Sequence, residues 1–207
     1  VKRYRAVGMD IAEQAMEIAP AAHTSLGGVY ARPDCSTSVE GLFVCGETLG
    51  GLHGANRIGG NAGLETMVFG RRAGCSAAAY MDTLSGEPAD CTDEISDAAA
   101  TVNIDALRAE LTKIVGGALG VIREAGKLEQ AKTELERMLE QIPESGCYAQ
   151  QRLRNDTLTA YAVTLAALER KTSTGCHVRT DSAGEPEKYR VNIRCKNGRA
   201  VPRRAEI

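Results

Sequence analysis

The stretch His53-Gly-Ala-Asn-Arg57-Ile-Gly-Gly-Asn61-Ala-Gly63 decides how the first part of this chain folds, because four of its eleven residues are glycine. The apolar residues that follow it recur near helical spacing, so we predict a helix that begins near Asn61. Glycines let a backbone approach a flat ring or a phosphate without an intervening Cβ. The N–H groups at a helix N-terminus favour negative charge. Arg57 offers a planar fork suited to a carboxylate or phosphate, so the stretch predicts a ligand site.

Two further segments upstream carry polar residues beside glycines. The run Gly41-Leu-Phe-Val-Cys-Gly-Glu47 predicts a short buried strand that ends in a single carboxylate. Such a carboxylate can accept hydrogen bonds from sugar or ribitol hydroxyls, although a surface glutamate after a core strand explains this run equally well. The segment His23-Thr-Ser-Leu-Gly27-Gly28 places a histidine beside a flexible turn. Taken alone, such a histidine is more often structural than a ligand.

The composition divides the chain into four parts. Residues 1–81 are rich in glycine and small side chains, and ten of the 22 glycines fall within residues 41–74. Residues 82–100 have the Ser, Gly, Pro, Asp and Thr content of a linker. Residues 101–172 have helical periodicity, and residues 173–207 are predicted to be extended or irregular.

Three apolar stripes predict three helices between residues 101 and 172. The first stripe begins near Asp105 and is broken or ended by Gly116-Gly117, since glycine is unfavourable in a helix interior. The second is stopped by Pro143. The members of the three stripes are Leu107, Leu111, Ile114, Val115 and Ala118; Leu128, Ala131, Leu135, Met138, Leu139 and Ile142; and Leu158, Tyr161, Ala162, Leu165 and Leu168. Amphipathic helices with short connections indicate a bundle.

The C-terminal tail and the composition of the whole chain give four further predictions. Alternation at Tyr189, Val191 and Ile193 predicts a strand, followed by a turn at Asn197-Gly198.

With 25 Lys+Arg against 27 Asp+Glu, the chain has no basic field for nucleic acid. No apolar run approaches the roughly 20 residues of a membrane helix. Seven irregularly spaced cysteines without a CxxC motif predict no metal site and a reducing compartment.

Five motifs occur in a particular order: His23-Thr-x-x-Gly-Gly, Gly-Leu-Phe-x-x-Gly-Glu47, His-Gly-Ala-Asn-Arg57, Gly-Gly-Asn61 and Val-Phe-Gly-Arg-Arg-Ala-Gly74. This series resembles the flavoprotein subunit family of succinate dehydrogenase and fumarate reductase, which includes L-aspartate oxidase. Residues 167–179 also resemble the C-terminal helical domain of that family, with Ser-Thr-Gly before Cys176 where the family usually has Ser-Arg-Gly. The resemblance implies an α/β FAD-binding portion, then an all-α three-helix bundle and a short β or irregular tail.

The resemblance also implies roles for particular residues. His23 and Arg57 would bind the carboxylates of a dicarboxylic substrate. The residues implied to contact FAD are Gly46, Glu47, Asn61, Ala62 and Gly63, where the family usually has Ser-Leu at the last two positions. The implied reaction interconverts fumarate and succinate by hydride transfer between flavin N5 and the substrate.

We expect the chain to be a fragment of a larger flavoprotein. A GxGxxG dinucleotide motif and the capping domain that supplies a proton-transferring arginine in this family do not occur in its 207 residues. The active site would therefore be incomplete and inactive alone. Two alternatives stay open: an L-aspartate oxidase-type flavoenzyme, and a non-catalytic docking module for an iron–sulfur subunit. We expect a cytoplasmic protein that associates with a membrane through partner subunits.

Overall fold

A computed structural model describes residues 2–18, 22–86, 99–182, 184–185, 188–196 and 199–206. The helices are α1 (Lys2–Arg5), α2 (Asn61–Met81), α3 (Ile104–Ala118), α4 (Ala125–Gln141) and α5 (Tyr148–Glu169), with a 3-10 turn at Gly46–Thr48. The strands are β1 (Ile122–Arg123), β2 (Val178–Arg179), β3 (Tyr189–Lys196) and β4 (Arg199–Glu206). Strand β1 pairs with β2 in parallel, and β3 pairs with β4 antiparallel.

Helices α3, α4 and α5 enclose the main apolar core, and the three predicted helices are therefore present. Asn103 caps α3 by accepting a hydrogen bond from the N–H of Ala106 at 3.1 Å, so the helix begins one residue before the predicted start. The two glycines of α3 lie in its last turn, where they do not break it. The buried core residues are Leu111, Ile114, Ala118, Ala131, Leu135, Met138, Ile142, Leu153 and Ala160.

The buried face of α5 differs from the predicted stripe. Leu158 is 42% exposed, whereas Thr157 and Thr164 are fully buried. Their hydroxyls donate to the carbonyls of Leu153 and Ala160, each at 2.8 Å. A threonine that satisfies its hydroxyl within its own helix can enter an apolar core, which is why the apolar stripe located only part of the buried face: Leu165 is buried as predicted, and Leu158 is not.

The first 86 residues contain α2 where it was predicted, but not the predicted strand. Within the described part of residues 2–86 the backbone pairs only through isolated bridges, Val29 with Leu49 and Ser36 with Phe43. The prediction of a buried strand at residues 41–47 is therefore wrong, although Val44 is buried. Helix α2 buries only Glu65 and Ala73, so most of its surface is open.

The tail forms the predicted strand. β3 pairs along its whole length with β4, from Tyr189 opposite Glu206 to Lys196 opposite Arg199. The predicted turn at Asn197-Gly198 lies outside the described residues, as does most of the predicted linker, residues 87–98. In the described part of the chain, no helix is both long and apolar enough to cross a membrane.

Candidate functional site

The carboxylate of Glu47 lies where three separate segments meet. Its Oε1 accepts a hydrogen bond from the N–H of Ser25 at 2.8 Å. That bond, and next the hydroxyl of Thr24, hold the pKa of Glu47 below its ordinary value, and electrostatic interaction with His23 and Arg57 acts in the same direction. The structure therefore brings His23 and Arg57, which are 34 positions apart in the sequence, to the surroundings of one exposed carboxylate.

Two glycines hold the segment after His23 against the Glu47 turn. The N–H of Val29 donates to the carbonyl of Thr48 at 2.7 Å, and the N–H of Gly50 donates back to Val29 at 3.0 Å. A Cβ at Gly28 would lie 2.2 Å from the Thr48 oxygen. Only glycine permits this approach, which explains the second glycine of the His23 motif.

The loop that carries Arg57 is tied to α2 through a buried pair. His53 Nε2 and Glu65 Oε2 are 2.7 Å apart, and the two side chains are 14% and 6% exposed. The other carboxylate oxygen of Glu65, Oε1, is buried without a hydrogen-bond partner. The half-buried Arg57 follows four residues after His53. Sequence reasoning missed Glu65, because a glutamate in an amphipathic helix is ordinarily solvated.

The N-terminus of α2 is open and unobstructed. Gly60 precedes the helix at φ 88° and provides no side-chain cap. A Cβ added at Gly59, Gly60 or Gly63 would have no neighbour within 4 Å. Ile58 and Leu64 beside this end are 75% and 65% exposed. A flat, partly apolar ring with an anionic edge fits such a surface, because the helix end favours negative charge and the glycines leave room.

The first turn of α2 contains three of the residues that the resemblance implies contact FAD, namely Asn61, Ala62 and Gly63. The N–H groups of Asn61 and Gly63 donate to the carbonyls of Ile58 and Gly60 over 3.3 and 3.2 Å, which are long hydrogen bonds. Gly46 begins the 3-10 turn at φ 70°, immediately before Glu47. The positions predicted to contact FAD thus lie on two backbone turns, at either side of Arg57 in the sequence.

His177 is a structural residue of the C-terminal part. Its Nδ1 accepts from Arg123 at 2.9 Å and its Nε2 donates to the carbonyl of Arg170 at 3.0 Å. Burial lowers the pKa of His177, the hydrogen bond to the Arg170 carbonyl opposes this shift, and the positive charges of nearby arginines act with burial. Both ring nitrogens thus have hydrogen-bond partners within the C-terminal part of the chain.

Two family profiles match this chain. The chain matches the family profile of the FAD binding domain over residues 3–62 and that of the fumarate reductase flavoprotein C-terminus over residues 108–192. The first match includes Glu47, Arg57 and Ala62. The fold and site therefore define an FAD-dependent flavoprotein.

Relatives identify the family more narrowly. The chain is 35% identical to an uncharacterised FAD-dependent oxidoreductase of Methanocaldococcus jannaschii, covering 93% of this chain and 38% of that protein. It is 34% identical to a fumarate reductase (CoM/CoB) subunit of Methanothermobacter marburgensis, covering 84% and 35%. With an L-aspartate oxidase of Rhodospirillum rubrum the identity is 36%, covering 86% and 62%. FrdA of E. coli quinol fumarate reductase has the same fold, with a TM-score of 0.80 at 23% identity over 100% of this chain and 40% of that one.

The chain belongs to the succinate dehydrogenase and fumarate reductase flavoprotein family, with L-aspartate oxidases among its relatives. FAD is the cofactor of this family. The chain spans 38% and 35% of the length of the first two relatives. The open glycine-lined end of α2 and the exposed Glu47 carboxylate fit a flavin and its ribityl hydroxyls.

Proposed function

We propose that this chain provides one wall of an FAD site and one side of a dicarboxylate site in an oxidoreductase that interconverts fumarate and succinate. The observation that supports the proposal most is the hydrogen bond of Glu47 with the N–H of Ser25, two positions after His23, together with the electrostatic influence on Glu47 of Arg57, which precedes the open N-terminus of α2. Two cationic or hydrogen-bonding side chains suit the two ends of a dicarboxylate. The remaining carboxylate suits a polyhydroxyl chain.

Each residue has a distinct task in this proposal. Arg57 binds one substrate carboxylate through two N–H groups, and His23 holds the other. This clamp withdraws electron density from the carbon–carbon double bond and orients it for reaction. Glu47 accepts hydrogen bonds from the ribityl hydroxyls, and the helix N-terminus at Ala62 and Gly63 favours negative charge at the ring edge. When bound, FAD supplies the hydride chemistry.

The proposal also concerns what lies beyond this chain. Since the relatives are longer, we propose that the chain acts as part of a larger flavoprotein, whose other regions complete the FAD site and provide the proton-transferring arginine. An iron–sulfur subunit that exchanges electrons with the flavin, and association with a membrane through such partners, belong to the same proposal. Residues 2–206 would then contribute binding groups rather than a complete active site.

A second candidate reaction is the oxidation of L-aspartate. It is favoured by the 36% identity to the Rhodospirillum rubrum L-aspartate oxidase, of which this chain covers 62%. His23 and Arg57 would hold the two carboxylates of aspartate as well as those of fumarate. The two candidates therefore share a clamp and differ in the bond that is oxidised.

A rapid-mixing experiment on the complete FAD-loaded flavoprotein separates them. Under anaerobic conditions, the reduced protein is mixed with fumarate and the oxidised protein with L-aspartate, and flavin absorbance is followed. We expect fumarate to reoxidise the flavin and L-aspartate to leave it oxidised. Reduction of the flavin by L-aspartate would select the second candidate, whether or not fumarate reoxidises it. No response to either compound would contradict the proposed function.

A further inference from the structure

A short turn in the C-terminal part of the chain contacts the loop that carries Arg57. Residues 174–177 close on themselves, because the N–H of Thr174 donates to His177 at 2.8 Å and the N–H of His177 donates to Thr174 at 2.9 Å. Within this turn the N–H of Cys176 donates to the carbonyl of Ala55 at 3.1 Å. Ala55 lies two positions before Arg57, so the turn holds the loop next to its functional side chain.

The fit between turn and loop depends on Gly175. Its φ of +52° is in the left-handed region, which favours glycine. A Cβ at this position would lie 2.1 Å from the oxygen and 2.5 Å from the carbonyl carbon of Ala55. Both atoms belong to the backbone, and no side-chain rotation can relieve the contact. Any larger residue at position 175 must therefore displace the loop or the turn.

The turn is the less movable of the two, because it is anchored in the helical bundle. His177 is held by Arg123 and by the carbonyl of Arg170. The N–H of Val178 donates to Val121 at 3.0 Å, and β2 continues the pairing with β1. Arg179 donates to the carbonyl of Ala167 at the end of α5 at 3.1 Å. Displacement is thus expected in the Arg57 loop rather than in the turn.

We propose that the turn of residues 174–177 positions the loop of Arg57 from the helical bundle, with Gly175 as a positioning residue for carboxylate binding. The proposal rests on the proposed function for its reference to substrate. The turn contacts the loop through the hydrogen bond that the backbone N–H of Cys176 donates to Ala55. This contact does not need an arginine side chain in the turn. The helical bundle would then set the geometry of a substrate contact made by the other part of the chain.

Two substitutions at one position separate steric displacement from backbone strain. Gly175→Ala adds a Cβ and an unfavourable φ, whereas Gly175→Asn adds a Cβ at a φ that asparagine tolerates. Gly8→Ala is the control, since Gly8 also has a positive φ of +82° but no neighbour within 4 Å of its Cβ position. All are made in the complete FAD-loaded flavoprotein, and fumarate is titrated while flavin absorbance is followed.

We expect both Gly175 variants to weaken fumarate binding by about tenfold to 100-fold, the range for a displaced binding group. FAD content should stay that of the wild type, and Gly8→Ala should bind fumarate normally. Hydrogen exchange at residues 53–57 should be faster in both Gly175 variants, with or without fumarate. Binding within twofold of the wild type in both variants would overturn the inference.

The same measurements separate this inference from the proposed function. If the wild-type protein binds no fumarate, the proposed function fails, and hydrogen exchange decides the inference: unchanged exchange at residues 53–57 in Gly175→Asn overturns it, and faster exchange supports it. If the Gly175 variants do not fold, His177→Asn is used instead, because it loosens the turn without placing atoms against Ala55. Unchanged exchange and fumarate binding in that variant would then overturn the inference.

Discussion

Replacement of Arg57 by alanine in the complete flavoprotein should lower kcat/KM for fumarate by about 160-fold. Arg57 is half-buried and can direct two N–H groups at one carboxylate. A hydrogen bond to a charged group contributes about 1.5–3 kcal/mol, and water can replace part of a lost pair. A net loss of about 3 kcal/mol in transition-state stabilisation corresponds to that factor. Arg57→Lys keeps the charge but loses the fork, so we expect an intermediate loss.

The assay is the steady-state reduction of fumarate by a dye electron donor, with FAD content measured for each variant. Arg71→Ala is the matched control, because Arg71 lies exposed on α2 at a distance along the helix from its N-terminus. The control should retain wild-type kcat/KM. A loss of less than fivefold in Arg57→Ala, with full FAD content, would remove Arg57 from the substrate site.

Three further predictions concern the cofactor, the bundle and acid stability. Glu47→Ala should weaken FAD retention, measured as the ratio of flavin to protein absorbance after dialysis; a full flavin complement would contradict its assigned role. Leu135→Ala should lower the free energy of unfolding by about 2–5 kcal/mol, because Leu135 is fully buried in the core; a change below about 1 kcal/mol in urea unfolding would contradict that packing. Hydrogen bonds from Arg179 hold the pKa of Asp181 well below its ordinary value. A lowered carboxyl pKa stabilises the fold above the ordinary value of about 4, and this stabilisation is lost as the pH falls. The Tm difference between wild type and Asp181→Asn should therefore shrink from pH 7 to pH 3, and a constant difference would contradict this.

Local signals in the sequence were sufficient for the features that depend on neighbouring residues. The start of α2 at Asn61 followed from a glycine-ended loop and helical spacing, and the end of α4 at Gln141 followed from Pro143. Periodicity predicted the β3 strand at Tyr189. The position of Arg57 in the loop before a helix N-terminus was predicted in the same way, and its role in binding stays a prediction. Each of these features is determined within a few residues.

Features that depend on distant contacts were not predictable in this way. The run before Glu47 has the composition of a strand, but a strand requires a partner, and the described chain provides only an isolated bridge there. Thr157 enters the core because its hydroxyl bonds to its own helix. The need for glycine at position 175 arises from Ala55, 120 positions away. Composition at one position contains no information about such a neighbour.

The central claim is that residues 22–64 form one wall of a combined FAD and dicarboxylate site. It is tested most directly by a crystal structure of the complete flavoprotein with FAD and fumarate. We expect the guanidinium of Arg57 to lie within hydrogen-bond distance, about 2.7–3.2 Å, of one fumarate carboxylate. We also expect the N-terminus of α2 to face the flavin ring. Fumarate bound away from both Arg57 and His23, with the flavin on another surface, would contradict the account.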